Sequence, residues 1–154
     1  MGGIVGFGSD QKIIYSYNTG KILGDTSVGG IIGNLVWGIE YTRIGMIENC
    51  YNIGEVPNTE TEGIGGCIGT MKAGKITNSY FLENDNMYGY TSVLNTTTPD
   101  FEQDNVTLAN FYNKDFLTNK LKFKEFVSEN DAQENIDNVW IIDGNKNPKL
   151  WIET

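Results

Sequence analysis

A chain of 154 residues with nineteen glycines, no histidine and a net charge of −9 has the size of one domain and a composition unlike an average enzyme's. Eleven basic against twenty acidic side chains argue against nucleic acid or an anionic membrane as partner, because those surfaces need clustered Lys and Arg. No stretch approaches the roughly 20 apolar residues of a bilayer span. Without histidine neither a Ser-His-Asp nor a Cys-His arrangement can be built.

The chain opens on Gly2-Gly3-Ile4-Val5-Gly6, followed by Ile13-Ile14-Tyr15-Ser16-Tyr17-Asn18-Thr19-Gly20-Lys21-Ile22. Both phrases return as Val28-Gly29-Gly30-Ile31-Ile32-Gly33 with Ile47-Glu48-Asn49-Cys50-Tyr51-Asn52-Ile53-Gly54, and again as Gly65-Gly66-Cys67-Ile68-Gly69 with Ile76-Thr77-Asn78-Ser79-Tyr80. Self-similarity at such a period signals stacked supersecondary units that cannot bury their apolar faces alone. Each phrase is short, β-branched or aromatic and bounded by glycine, which reads as strands between tight turns. Stacking predicts parallel strands, with Ile13 over Ile47 over Ile76, Tyr17 over Tyr51 over Tyr80, and Asn49 over Asn78. Gly20 and Gly54 are expected to take positive φ at corners. Which face Cys50 and Tyr51 take stays open. Strict alternation groups Ile47, Asn49 and Tyr51 with Cys50 opposite, and a bend at Asn49 reverses that choice.

The leg from the second Gly of the pair to the Tyr is 14 residues in the first and third copies and 21 in the second, an insertion of seven between Gly33 and Gly45. Insertions in repeat arrays map to loops on one face, often the binding face. Trp37, Tyr41 and Arg43 lie here and are the candidate contact residues, since interfaces favour aromatics and Arg. The alternative is that Trp37 and Tyr41 fold back over the sheet. Cys50 stands opposite Ser16 and Ser79, and Cys67 opposite Ile4 and Ile31, so both read as buried free thiols. A disulfide is possible but not indicated, and two thiols without histidine do not make a metal site.

After Leu82 glycine thins and the repeat stops. Residues 83–105 read as an extended connection with one short strand near Ser92-Val93-Leu94. Asn113 is a candidate N-cap for a helix over 114–123, with Lys120 and Lys122 suiting its C-terminal end. Residues 125–138 read as loop. Short strands follow at 139–142 and 150–152, around the turn signals Asp143-Gly144 and Pro148, with Trp140 and Trp151 as core. Three coils leave open ends of backbone, and this C-terminal third is the expected cap. The fold expected is mainly all-β: a short parallel β-solenoid or β-helix of three repeats over residues 1–83. Residues 84–154 would form the connection and cap, with one short helix and two short strands, as one compact unit with the repeats.

Several catalytic signatures fail on their own chemistry. Gly69-Thr70-Met71-Lys72-Ala73-Gly74-Lys75-Ile76 matches a phosphate-binding loop through seven positions, but Ile76 cannot replace the hydroxyl that holds magnesium. Glu48 and Glu55 are the obvious carboxylate pair for glycoside chemistry. Their equivalents are Ile14 and Thr77, and Lys21, so they read as solvent-facing variation. Asp85 and Asp143, with neighbouring asparagines, lack the closing glutamate of a calcium loop. No catalytic residue, cofactor or metal ligand is expected.

The Gly-Gly-apolar-apolar-Gly phrase and the Ile-x-Asn-Cys/Ser-Tyr phrase with its trailing Gly-x-apolar together resemble the GLUG repeat over residues 2–82. That repeat is found in bacterial surface proteins and in large secreted peptidases that cleave immunoglobulin A. The tail, from Phe111-Tyr112 through Val139-Trp140-Ile141-Ile142 to Pro148-Lys149-Leu150-Trp151, looks like the segment that closes such arrays. The first copy departs from the pattern, with Tyr15-Ser16 where the second has Asn49-Cys50. The resemblance implies a non-catalytic β-solenoid part of a larger cell-surface or secreted protein, acting as stalk, spacer or adhesive face. A host or cell-surface protein or glycan is the implied partner, and earlier repeats are expected upstream of Gly2. The alternatives are a carbohydrate-binding accessory module of a secreted hydrolase and a non-catalytic part of an immunoglobulin A peptidase-like protein.

Overall fold

β-Branched and aromatic side chains favour pleated backbone when neighbouring strands can pack against them, and here the neighbours are later segments of the same chain. The computed structural model describes residues 1–36, 45–57, 63–82, 106–129, 140–143 and 146–150, and the backbone of 91–93. Two compact units are distinguished, residues 1–106 and 107–154. The fold is mainly β, built on parallel sheets with one short helix. Among the described residues no helix is long and apolar enough to cross a membrane.

In the first unit, β1 (Val5–Gly8), β5 (Ile32–Leu35), β9 (Ile68–Met71) and β12 (Thr91–Val93) form a parallel sheet in that order. A second parallel sheet joins β2 (Lys12–Ile14), β6 (Met46–Glu48) and β10 (Lys75–Thr77), and a third joins β3 (Tyr17–Asn18), β7 (Tyr51–Asn52) and β11 (Tyr80–Phe81). The pair β4 (Val28–Gly29) and β8 (Ile64–Gly65) is extended by a bridge from Gly2 to Gly29. The expected columns are present: Ile13 is in register with Ile47 and Ile47 with Ile76, and Tyr17 with Tyr51 and Tyr51 with Tyr80. Tyr17 and Tyr51 stack with centroids 5.0 Å apart and planes 7° from parallel. Ile47, Ile76, Ile31, Ile32 and Ile68 are buried in one core, and burying each such side chain stabilises by about 1.5–3 kcal/mol.

The corners correct one expectation. Among the described residues, positive φ falls on Tyr15 (46°), Ser27 (48°), Asn49 (54°), Asn78 (45°) and Lys122 (57°), and among glycines on Gly63 and Gly74, not on Gly20 or Gly54. Asparagine tolerates this left-handed backbone better than most residues. With left-handed backbone at Asn49, Ile47 and Cys50 join one apolar core cluster, and Asn49 and Tyr51 are buried outside it. Asn78 Nδ2 donates to Asn49 Oδ1 across 3.1 Å, so the corner residues are themselves stacked. Behind each corner the next side chain spans it in the same way. Ser16 Oγ donates to Ile14 O (2.8 Å), Cys50 Sγ to Glu48 O (3.3 Å) and Ser79 Oγ to Thr77 O (3.0 Å).

In the second unit a 3-10 turn at Asn110–Tyr112 leads into α1 (Lys114–Asn119). Asn113 caps it, its Oδ1 accepting from Phe116 N at 3.2 Å. The helix stops short of the expected 123, because the backbone turns left-handed at Lys122 (φ 57°) and Leu121 and Phe123 are buried. β13 (Trp140–Ile141) and β14 (Lys149–Leu150) pair antiparallel. Trp140 is buried as expected and stacks on Phe123 at 3.9 Å, while Trp151 lies outside the described residues.

Candidate functional site

Glycine pairs open each copy because coil lies against coil. A Cβ on Gly30 would run into Gly66 O and the Asn52 amide, and one on Gly66 into the Phe81 ring. Asn52 is buried and fully engaged. Its Nδ2 donates to Gly54 O (3.1 Å) and Gly66 O (2.9 Å), while its Oδ1 accepts from Gly54 N (3.1 Å) and Asn18 Nδ2 (2.8 Å). Asn18 repeats the local half of this arrangement with Gly20. Sequence reasoning stacked Asn49 on Asn78 and passed over Asn18 and Asn52. The available signal was Tyr-Asn-x-Gly in the first two copies, replaced by Tyr80-Phe81 in the third.

The candidate contact residues Trp37, Tyr41 and Arg43 lie outside the described residues. What is described is the base of their insertion. Val36 N donates to Gly8 O (2.9 Å) on one side, and Gly45 O accepts from Lys75 N (2.9 Å) on the other. The insertion therefore leaves and rejoins between β5 and β6, at the junction of two sheets.

The carboxylates considered for glycoside chemistry are held in ion pairs with lysines, Glu48 across the strands β6 and β2 and Glu55 outside the strands. Glu48 pairs with Lys12 at 3.4 Å and Glu55 with Lys21 at 2.7 Å, all partly or largely exposed, and such pairs contribute at most about 1 kcal/mol. Residues 69–76, which look like a phosphate loop, run through β9 and β10 instead of leading into a helix. Asp143 lies 3.9 Å from Lys146. Asp85 falls outside the described residues.

Both cysteines are free and buried in the same apolar core. Burial pushes the Cys50 thiol from its ordinary 9.0 up to about 12, outweighing backbone hydrogen bonds that act the other way, and burial raises Cys67 too. In the unfolded chain these thiols ionise near their ordinary value, whereas the folded chain keeps them protonated. Their contribution is complete below pH 9.0 and is lost as pH rises above it, for Cys50 toward about 12. Urea midpoints are expected to fall over that window, less steeply in Cys50→Ser. Native protein at pH 8 is expected not to react with a disulfide reagent until urea unfolds it.

Among the described residues, the remaining surface of note is the sheet edge formed by the first copy. β1, β2 and β3 are each the terminal strand of their sheet. Ile4 is 45% exposed there, whereas its equivalents Ile31 and Cys67 are fully buried, and Met1, Phe7 and Leu23 are exposed as well. Comparison of the chain with protein-family models, with curated proteins and with solved structures yields no match.

Proposed function

We propose that the chain is a β-solenoid of GLUG-like repeats serving as a non-catalytic spacer or interaction module of a larger bacterial surface or secreted protein. The observation that carries this reading is the in-register stacking of equivalent residues in three ladders, Ile13 with Ile47 and Ile76 foremost. A coil whose apolar column continues from rung to rung buries its face only against its neighbours, which is the logic of a repeat array. A stacked array of this kind suits a part that holds other parts of a protein at a distance. Carboxylates engaged in lysine pairs suit a solvated wall better than a reaction centre.

The reading is tested on cells and on ligands together. Antibodies against the chain are expected to label intact cells that carry the natural protein, and a glycan array probed with the chain is expected to stay blank. Labelling only after lysis would contradict the surface assignment. A glycan signal lost in Trp37→Ala would favour a carbohydrate-binding module instead.

A further inference from the structure

Gly2 and Gly3 are crowded like their equivalents in the later copies, whereas Gly6 and Gly20 are not, and at those two positions the difference follows place in the stack. A Cβ on Gly33 would come within 2.5 Å of Met1 O and 2.6 Å of Met1 N. One on Gly69 would collide with Val28 N and lie 2.6 Å from Ser27 C. In both cases the obstacle includes the start of the coil before. The equivalent Gly6 has nothing within 4 Å of such a Cβ. Gly54 and Gly20 behave alike: a Cβ on Gly54 would run into Gly20 O, while one on Gly20 would meet only Asn18 Oδ1 at 3.5 Å. Gly6 and Gly20 are thus glycines at positions where no described contact requires one.

Three further features of the same edge agree. Ile4 is exposed where Ile31 and Cys67 are buried. Asn52 Oδ1 takes two donors, Gly54 N and Asn18 Nδ2, whereas among the described residues Asn18 Oδ1 takes Gly20 N alone. Each of the three main ladders ends on a first-coil strand, β1, β2 or β3. We propose that this edge is a docking surface for one further coil of the same kind, carrying Gly-Gly-apolar-apolar-Gly and Tyr-Asn-x-Gly. That coil seats in parallel register along β1, β2 and β3, on Ile4 and Asn18. Its asparagine donates to Asn18 Oδ1 as Asn18 donates to Asn52, and the residue before its glycine pair lies over Gly6 as Met1 lies over Gly33. The opposite end of a second copy is the wrong shape for this. There β12 already pairs with β9, and Phe81 occupies the register position of the asparagine. The proposal rests on the solenoid reading and adds which end of the stack is a joint and what fits it.

The test extends the full chain by a second copy of residues 1–27 placed ahead of Met1, which supplies the proposed coil. Hydrogen exchange along β1, β2 and β3 is expected to slow at least tenfold in the extended protein, and its thermal midpoint to rise. Gly6→Ala is expected to leave the midpoint of the natural chain unchanged and to lower that of the extended chain by about 3–10 °C. Gly33→Ala should lower it in both. If Gly33→Ala is harmless in the natural chain, the stacked-coil reading itself is wrong. If Gly33→Ala is costly but the added coil stays unprotected, or Gly6→Ala acts alike in both proteins, the docking surface is refuted and the solenoid stands. A natural chain that is a dimer by light scattering and becomes monomeric in Ile4→Asp would make the occupant a second copy and overturn the proposal.

Discussion

Gly30→Ala is expected to destabilise the chain by about 3 kcal/mol, a large part of the roughly 5–15 kcal/mol that holds a domain folded. The reason is proximity alone. Gly30 is not among the residues with left-handed backbone, so alanine can adopt its φ and ψ without strain. A methyl group there would nonetheless collide with Gly66 O in the next coil and with the Asn52 amide in its own. The amide could rotate only by giving up hydrogen bonds, and the carbonyl belongs to a backbone already paired, since Gly66 O accepts from Gly30 N at 3.1 Å. Relief therefore requires the two coils to move apart, which loosens every column they share. Urea denaturation measures the loss. Gly20→Ala is the matched control, expected within about 0.5 kcal/mol of the parent because its Cβ meets only an ordinary contact.

Asn52→Ala is expected to cost a similar amount, about 3 kcal/mol, by a different route. The substitution removes an amide that makes four hydrogen bonds in a nearly waterless site. Gly54 O loses its described partner, while Gly54 N, Gly66 O and the Asn18 amide each lose one of two. Leaving a buried polar group unpaired costs about 1–3 kcal/mol, more than forming the bond ever contributed. Asn52→Asp separates donor from acceptor. It keeps the shape and both acceptor oxygens but can no longer donate to Gly54 O and Gly66 O, so it should destabilise at neutral pH as strongly as alanine does. Protonating the new carboxyl restores one donor, and burial raises its pKa, so this variant alone should recover stability as pH falls toward the ordinary carboxylate range, with the gain complete once that range is passed. Asn18→Ala, at a half-buried position with fewer bonds, should cost clearly less than Asn52→Ala.

These two residues mark where the sequence was and was not legible. Ile13, Ile47 and Ile76 stand at equivalent places in three copies, and like on like in parallel strands follows from that alone. Glycine carried two meanings that a sequence cannot separate. At Gly20 and Gly54 it was read as positive φ, yet Gly54 is there because Gly20 O passes too close for a Cβ, while the left-handed corners belong to Tyr15, Asn49 and Asn78. Close approach between coils is a three-dimensional fact and leaves no local trace. Asn52 was missed for a related reason: a Tyr-Asn-x-Gly phrase looks like a turn, and its link to Gly66 O appears only when the next coil is in place. In the second unit the cap at Asn113 was legible because capping is local, whereas the end of α1 was set by the burial of Leu121 and Phe123. The candidate contact residues Trp37, Tyr41 and Arg43 remain an inference from composition and from the seven-residue insertion that carries them.

The stacking of the three copies is tested most directly by methyl contacts in isoleucine-labelled protein, with Ile13, Ile47 and Ile76 assigned by single Ile→Val substitutions. Adjacent rungs lie about 4.8 Å apart and alternate rungs about twice that. Ile47 is therefore expected to show strong cross-peaks to both Ile13 and Ile76, with the direct Ile13 to Ile76 signal much weaker. Ile47 contacts to neither residue, or an Ile13 to Ile76 contact as strong as the other two, would contradict the ordered stack on which the proposed function depends.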